Sequence, residues 1–164
     1  MEALAAGTRA PAFTLKDTTG KSYALEQALK PGPVLLAFFK VSCPVCQFTF
    51  PFLEHLHQRI KEKNQVRIWG ISQDDARDTR DFAREYGCTF PLLLDESGYP
   101  VSNQYGLTNV PTLFLVKPDG VIQVLSVGFD RKDIETVAGE FGKLTGQSLT
   151  VFQPGDDIPD YKPG

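Results

Sequence analysis

The chain is poor in the residues that staple, span membranes or bind polyanions. Its 164 residues include three cysteines, one methionine, one tryptophan and two histidines. Three cysteines are too few for a disulfide-stapled scaffold, and a domain of this size, burying roughly 70% of its unfolded surface, does not need one. The odd count also argues against purely structural cysteines in an oxidising compartment. The longest apolar runs, at 33–39 and 91–94, fall far short of the about 20 residues that cross a bilayer, so no membrane span is expected. Cationic excess is missing as well: 17 Lys and Arg stand against 20 Asp and Glu, a formal net charge of −3. Without a basic stripe, nucleic acid is not an expected partner. The opening MEALAAGTRAPAF has no charged-then-apolar signal pattern, so a cytoplasmic location is expected, with the periplasm as the alternative if a signal has been removed. No repeat or low-complexity block interrupts the chain.

What is present is ordinary for one globular domain: 41% hydrophobic and 23% charged residues, enough for a single core. Residues 11–15 (PAFTL) and 21–25 (KSYAL) flank a DTTG turn and predict an N-terminal hairpin. Residues 33–39 (PVLLAFF) form an unbroken apolar run, the pattern of a strand buried on both faces. A helix follows to about Asn64, with Leu53, Leu56 and Ile60 at helical spacing and Pro51 inside it, where a kink is expected. Then come a strand at 66–71, a charged helix at 74–86 closed by Gly87, a short strand at 90–94 and a short helix at 99–105. Strands at 112–116 and 121–127 flank a PDG turn, and Asp130 caps a last helix with Ile134, Val137 and Phe141 on one stripe. From about Thr150 the chain is rich in Pro, Gly and Asp and reads as an irregular, loosely held strap. Alternating strands and helices predict an α/β fold, a central sheet with helices on both faces.

The chemistry concentrates in Cys43-Pro44-Val45-Cys46, where the buried strand ends and a helix begins. Helix N-terminal N–H groups and the macrodipole favour negative charge, so a thiolate at Cys43 is stabilised there. A second thiol one turn on lies within reach to resolve a mixed disulfide. Pro44 fits a first helical position, where its missing N–H is harmless. Zinc needs two more ligands at suitable spacing, and His55 and His57, two residues apart on one helix, point to different faces, so no metal is expected. Asn109-Val110-Pro111-Thr112 precedes a later strand and is the kind of place where an X-Pro bond is cis.

Taken together, APAFTL at 10–15, LLAFF at 35–39, CPVC at 43–46, Pro51, Tyr105-Gly106, Val110-Pro111-Thr112 and Asp119-Gly120 resemble the thioredoxin-like redoxin family. That group spans thiol-disulfide oxidoreductases and the alkyl hydroperoxide reductase/thiol-specific antioxidant proteins, and the resemblance covers residues 11 to about 146. It implies a thioredoxin-like fold, a central mixed β-sheet flanked by helices, over 1–149, with a redoxin-type insertion between Asp74 and Leu107 and a tail at 150–164. It implies that Cys43 is the nucleophile and Cys46 the resolving thiol. It implies that Pro111 is cis beside Cys43, where the Val110 backbone pairs with an extended substrate by β-addition. The implied partners are protein or small-molecule thiols and disulfides and an external dithiol reductant or oxidant, with no bound cofactor.

Several positions depart from the relatives. Ser42 stands where thioredoxins keep Trp, Ala37 where they bury an acid, and Thr49 where the cytochrome-maturation relatives carry Glu. No base is evident for Cys46. Lys40 is a candidate for electrostatic support of the Cys43 thiolate, against the reading of a solvated strand-end lysine. The peroxidatic signature, a Pro and a Thr or Ser upstream of a single attacking Cys, is absent, which ranks a peroxiredoxin-like peroxidase acting through a Cys43 sulfenic acid second. A redox-inactive binding module is the third reading. Cys88 reads as a buried inert thiol, with a second resolving role as the alternative. Phe48, Phe50 and Phe52 read as core that partly forms an apolar rim.

Overall fold

The structure, a computed structural model, describes residues 2–164. Its elements follow the predicted alternation: β1 (Thr14–Asp17), β2 (Ser22–Ala24), α1 (Leu25–Ala28), β3 (Val34–Phe39), α2 (Pro44–Ile60), β4 (Arg67–Ser72) and α3 (Ala76–Tyr86). After these come β5 (Leu92–Leu94), α4 (Pro100–Gln104), β6 (Thr112–Val116), β7 (Ile122–Val127), β8 (Phe129–Asp130), α5 (Arg131–Thr145) and β9 (Tyr161–Lys162). Seven strands form one mixed sheet in the order β2-β1-β5-β4-β3-β6-β7. Strands β3, β4 and β5 run parallel, and β6, β7 and the N-terminal hairpin pair antiparallel. The insertion between Asp74 and Leu107 supplies β5, which joins the hairpin to the parallel strands through β1.

All six residues of β3 are buried, and the two-residue period of a strand splits them between the layers. Leu35, Ala37 and Phe39 face one core with Phe50, Leu53, Leu56 and Ile60 of α2, Phe82 of α3, and Ile134, Val137 and Phe141 of α5. Val34, Leu36 and Phe38 face the other core, with Leu25 and Ala28 of α1 and Trp69, Val101 and Tyr105. The first core is built on aromatic pairs, with the Phe39 and Phe50 ring centroids 4.4 Å apart and Phe39 and Phe82 4.8 Å apart. That packing explains Gly70 in β4: a Cβ there would lie 2.5 Å from the Leu92 side chain and 3.3 Å from the rings of Phe39 and Phe50.

Three local features bear on the sequence expectation, and the last two differ from it. Helix α2 runs as one element from Pro44 to Ile60 with Pro51 inside it, the missing N–H offset by buried residues on both sides. Residues 25–28 form a one-turn helix, too short for periodicity to announce. The segment after 150 is ordered against the body: Val151 and Phe152 are buried, and Tyr161–Lys162 pairs antiparallel with Phe129–Asp130.

Candidate active site

Strand β3 delivers its carboxyl end to Lys40, Val41, Ser42 and Cys43. Because β6 runs antiparallel beside it, with Phe38 opposite Thr112, the residues just before β6 arrive beside the same loop. Cys43 is the N-cap of α2, in extended geometry, and its Sγ accepts a hydrogen bond from the Cys46 N–H at 3.1 Å. A Ser or Asp side chain fills that role in most helices; a sulfur held there sits at the positive end of the helix dipole. Pro44 occupies the first helical turn, as expected.

The other contacts of Cys43 come from the opposite chain segment. Its thiol donates to the Val110 carbonyl oxygen at 3.5 Å. The Val110–Pro111 peptide bond is cis, Pro111 is buried and Val110 half-buried. The turn is held by the Thr112 hydroxyl, which donates to the Asn109 carbonyl at 2.8 Å, and by the Gly128 N–H, which donates to the Pro111 carbonyl at 2.7 Å. Cys43 itself is half-buried and reachable.

Two residues that spacing did not single out set the loop's position. Asp74, just past β4, accepts the Val41 N–H at 2.9 Å, and the Gln47 side chain donates to the Val41 carbonyl at 2.8 Å. Both peptide groups flanking the Val41 Cα are thereby clamped two residues before Cys43. Only the sheet topology brings Asp74, 33 residues away, to this loop, which is why a linear reading passes over it.

Cys46 lies beneath, with no solvent exposure. Its thiol is pushed well above the usual range, foremost by burial and then by its hydrogen bond to the Cys43 sulfur, with the Lys40 backbone N–H opposing. The departures noted in the sequence leave this thiol without an acid. Ala37 is packed between Gly70 and Leu113 in the sheet. The Thr49 hydroxyl donates to the Val45 carbonyl at 2.7 Å within α2. Among the described residues the one buried carboxylate, Asp95, already accepts from Val101 N–H, Ser102 N–H and the Ser102 hydroxyl.

Lys40 meets the site through its backbone: its carbonyl accepts the Cys43 N–H at 3.2 Å. Its exposed side chain lines a cleft of about 230 Å³ with Gln73 and residues 107–110. The histidines stand apart; His55 is exposed and His57 packs edge-on to Phe90, the centroids 5.8 Å apart. Cys88 is buried after α3, its pKa pushed up to about 12, mainly by burial. Of the three phenylalanines, Phe50 is wholly core, while Phe48 and Phe52 are half-buried beside Phe129.

This geometry has counterparts. The AhpC/TSA family profile matches residues 6–125. The thiol-disulfide oxidoreductase ResA of Bacillus thuringiensis (strain Al Hakam) is 31% identical over 145 residues, 88% of this chain and 81% of its own. The thioredoxin-like protein YneN of Bacillus subtilis (strain 168) is 32% identical over 132 residues, covering 79% and 76%. Among solved structures, the thioredoxin domain of a thiol-disulfide oxidoreductase from Bacteroides vulgatus superposes with a TM-score of 0.72 at 27% identity, over 84% of this chain and 98% of that one.

Proposed function

Because this chain belongs to the AhpC/TSA family, and its pair of thiols is built for exchange, we propose that it is a thiol-disulfide oxidoreductase with Cys43 attacking and Cys46 resolving. The observation that carries the reading is the double engagement of the Cys43 sulfur, capped by the Cys46 N–H and set against the Val110 carbonyl. The Cys43 sulfur sits at the positive end of the α2 dipole, and the thiolate is the attacking species in exchange.

In the reductive direction the Cys43 thiolate attacks one sulfur of a substrate disulfide. The substrate S–S bond breaks, the Cys43–substrate bond forms, and the displaced substrate thiolate takes a proton from water. Cys46 then gives its proton to water and attacks the Cys43 sulfur. The mixed disulfide breaks, the second substrate thiolate leaves, and the protein holds a Cys43/Cys46 disulfide. Two electrons have passed to the substrate, and an external dithiol restores the reduced pair. The reverse sequence oxidises a substrate dithiol, and the reduction potential of the pair against its surroundings sets the direction. The thiols themselves carry the electrons, so the reaction needs no bound cofactor.

Val110 and Pro111 are the proposed substrate-binding residues, offering main-chain groups to an extended segment beside Cys43. Lys40 is proposed as electrostatic support from the rim of the neighbouring cleft. Substrates are protein or small-molecule disulfides and thiols. The odd, buried Cys88 supports a reducing, cytoplasmic setting, with the periplasm as the alternative. Peroxide turnover through a Cys43 sulfenic acid is the second reading, favoured by the family alone. The experiment is insulin reduction driven by dithiothreitol. The native chain accelerates it, and Cys43→Ser falls to the rate of dithiothreitol by itself. Rapid hydrogen peroxide consumption without insulin reduction would reverse the order of the two readings.

A further inference from the structure

The segment after Thr150 packs back on the body of the fold and reaches Val110. Phe152 inserts beside Phe52 and Phe129, with centroids 5.0 and 5.9 Å away, and the chain then returns toward Val110. Arg131 holds the return at two points. Its N–H donates to the Asp160 carbonyl at 2.9 Å and its guanidinium to the Ile158 carbonyl at 3.2 Å. Strand β9 pairs with β8, Phe129 opposite Lys162 and Asp130 opposite Tyr161. The chain next crosses Gly128, which has φ +79; a Cβ there would stand 2.5 Å from the Lys162 carbonyl oxygen. The Lys162 ammonium lies 4.6 Å from the centre of the Phe48 ring. Gly164 ends against the Val110 carbonyl oxygen, so close that a Cβ on it would fall 2.2 Å away. That oxygen is the one the Cys43 thiol donates to.

Residues 160–164 thus touch Phe48 on α2, Gly128, whose N–H donates to the Pro111 carbonyl, and Val110, whose carbonyl accepts from Cys43. They arrive as an extended strand on the β8 edge, the same main-chain mode by which a polypeptide substrate adds to an exposed edge. We propose that the β8 edge and the Val110 carbonyl form a strand-accepting groove for an extended polypeptide disulfide, and that residues 160–164 are its in-chain occupant, which substrate must displace. The inference rests on the exchange reading of Cys43 and adds the class of substrate that the site selects. The ladder is only two residues long and the Lys162 contact lies at the surface, features of the low-stability end of a structure. Small disulfides reach the half-buried Cys43 past the segment, whereas a polypeptide needs the groove it fills.

A groove open only part of the time weakens apparent affinity by the open fraction. With the segment docked in about nine of ten molecules, its removal lowers the KM for a polypeptide about tenfold. The test compares the native chain, a chain ending at 158, and Gly164→Leu, whose side chain has no room against Val110. Insulin serves as the polypeptide disulfide and 2-hydroxyethyl disulfide as the small one. The expected result is a lower KM for insulin in both variants, with kcat and small-disulfide exchange unchanged. An insulin KM that is unchanged or higher in both variants, or an equal gain with the small disulfide, overturns the proposal while the exchange reading stands. Loss of Cys43-dependent exchange with the small disulfide in the native chain overturns both.

Discussion

Cys43 and Cys46 are alike in sequence and opposite in circumstance. One caps a helix at the surface of the site; the other is sealed beneath it, and among the described residues the one buried carboxylate, Asp95, is engaged by Val101 and Ser102. Burial is the first cause of the raised Cys46 pKa and persists in the mixed disulfide, whereas the hydrogen bond to the Cys43 sulfur, the second cause, weakens once that sulfur is bonded to substrate. A raised pKa means that the protonated, unreactive form dominates below it, so the thiolate fraction grows tenfold with each unit of pH. Release of a preformed Cys43–peptide disulfide is therefore expected to quicken about tenfold per pH unit from 6 to 9 without levelling off. Stopped-flow release measured across that range checks it; a plateau near pH 7 would mean that Cys46 has a base. The same pair marks how much of the site was legible in the sequence. The C-x-x-C spacing and the strand-to-helix switch point to Cys43 and Cys46, because local backbone geometry is written in neighbouring residues. Asp74 and Gln47 were not legible, since their work is done on Val41 through the fold.

Among the elements, α2 carries both chemistry and core. Cys43 caps it and Cys46 lies in its first turn, and one face further on buries Phe50, Leu53, Leu56 and Ile60. Phe50 packs on Phe39, Phe82 and Phe90, with centroids 4.4, 5.5 and 5.8 Å away. Phe50→Ala leaves a cavity among rings that cannot collapse onto it and is expected to cost about 3–5 kcal/mol in urea unfolding. An effect below about 1 kcal/mol would place Phe50 outside the core, in the rim that the sequence also allowed. The helices and strands were legible where the hydrophobic pattern ran long, as in the unbroken run of β3 and the stripe of α5. They were obscure where an element is one turn or two residues, as in α1 and β8. Pro51 does not end α2, because the buried residues before and after it hold the helix together as one element.

At the scale of the whole molecule, the mixed sheet has one consequence for function. The parallel crossover after β3 and the antiparallel return of β6 bring Cys43 and Val110, 67 residues apart, to a 3.5 Å contact. The alternation of elements foretold that sheet. The course of residues 150–164 was not foretold, because Pro, Gly and Asp mark a segment without periodicity while its ordering comes from β8, Arg131 and Phe129. The claim on which all the chemistry depends is that the Cys43 sulfur makes the covalent bond to substrate. Mass spectrometry of Cys46→Ser mixed with a peptide disulfide tests it, since without the resolving thiol the intermediate accumulates. The account predicts one peptide adduct, mapped to Cys43 and absent when Cys43 is also changed to Ser; an adduct on Cys88, or none on Cys43, would contradict it.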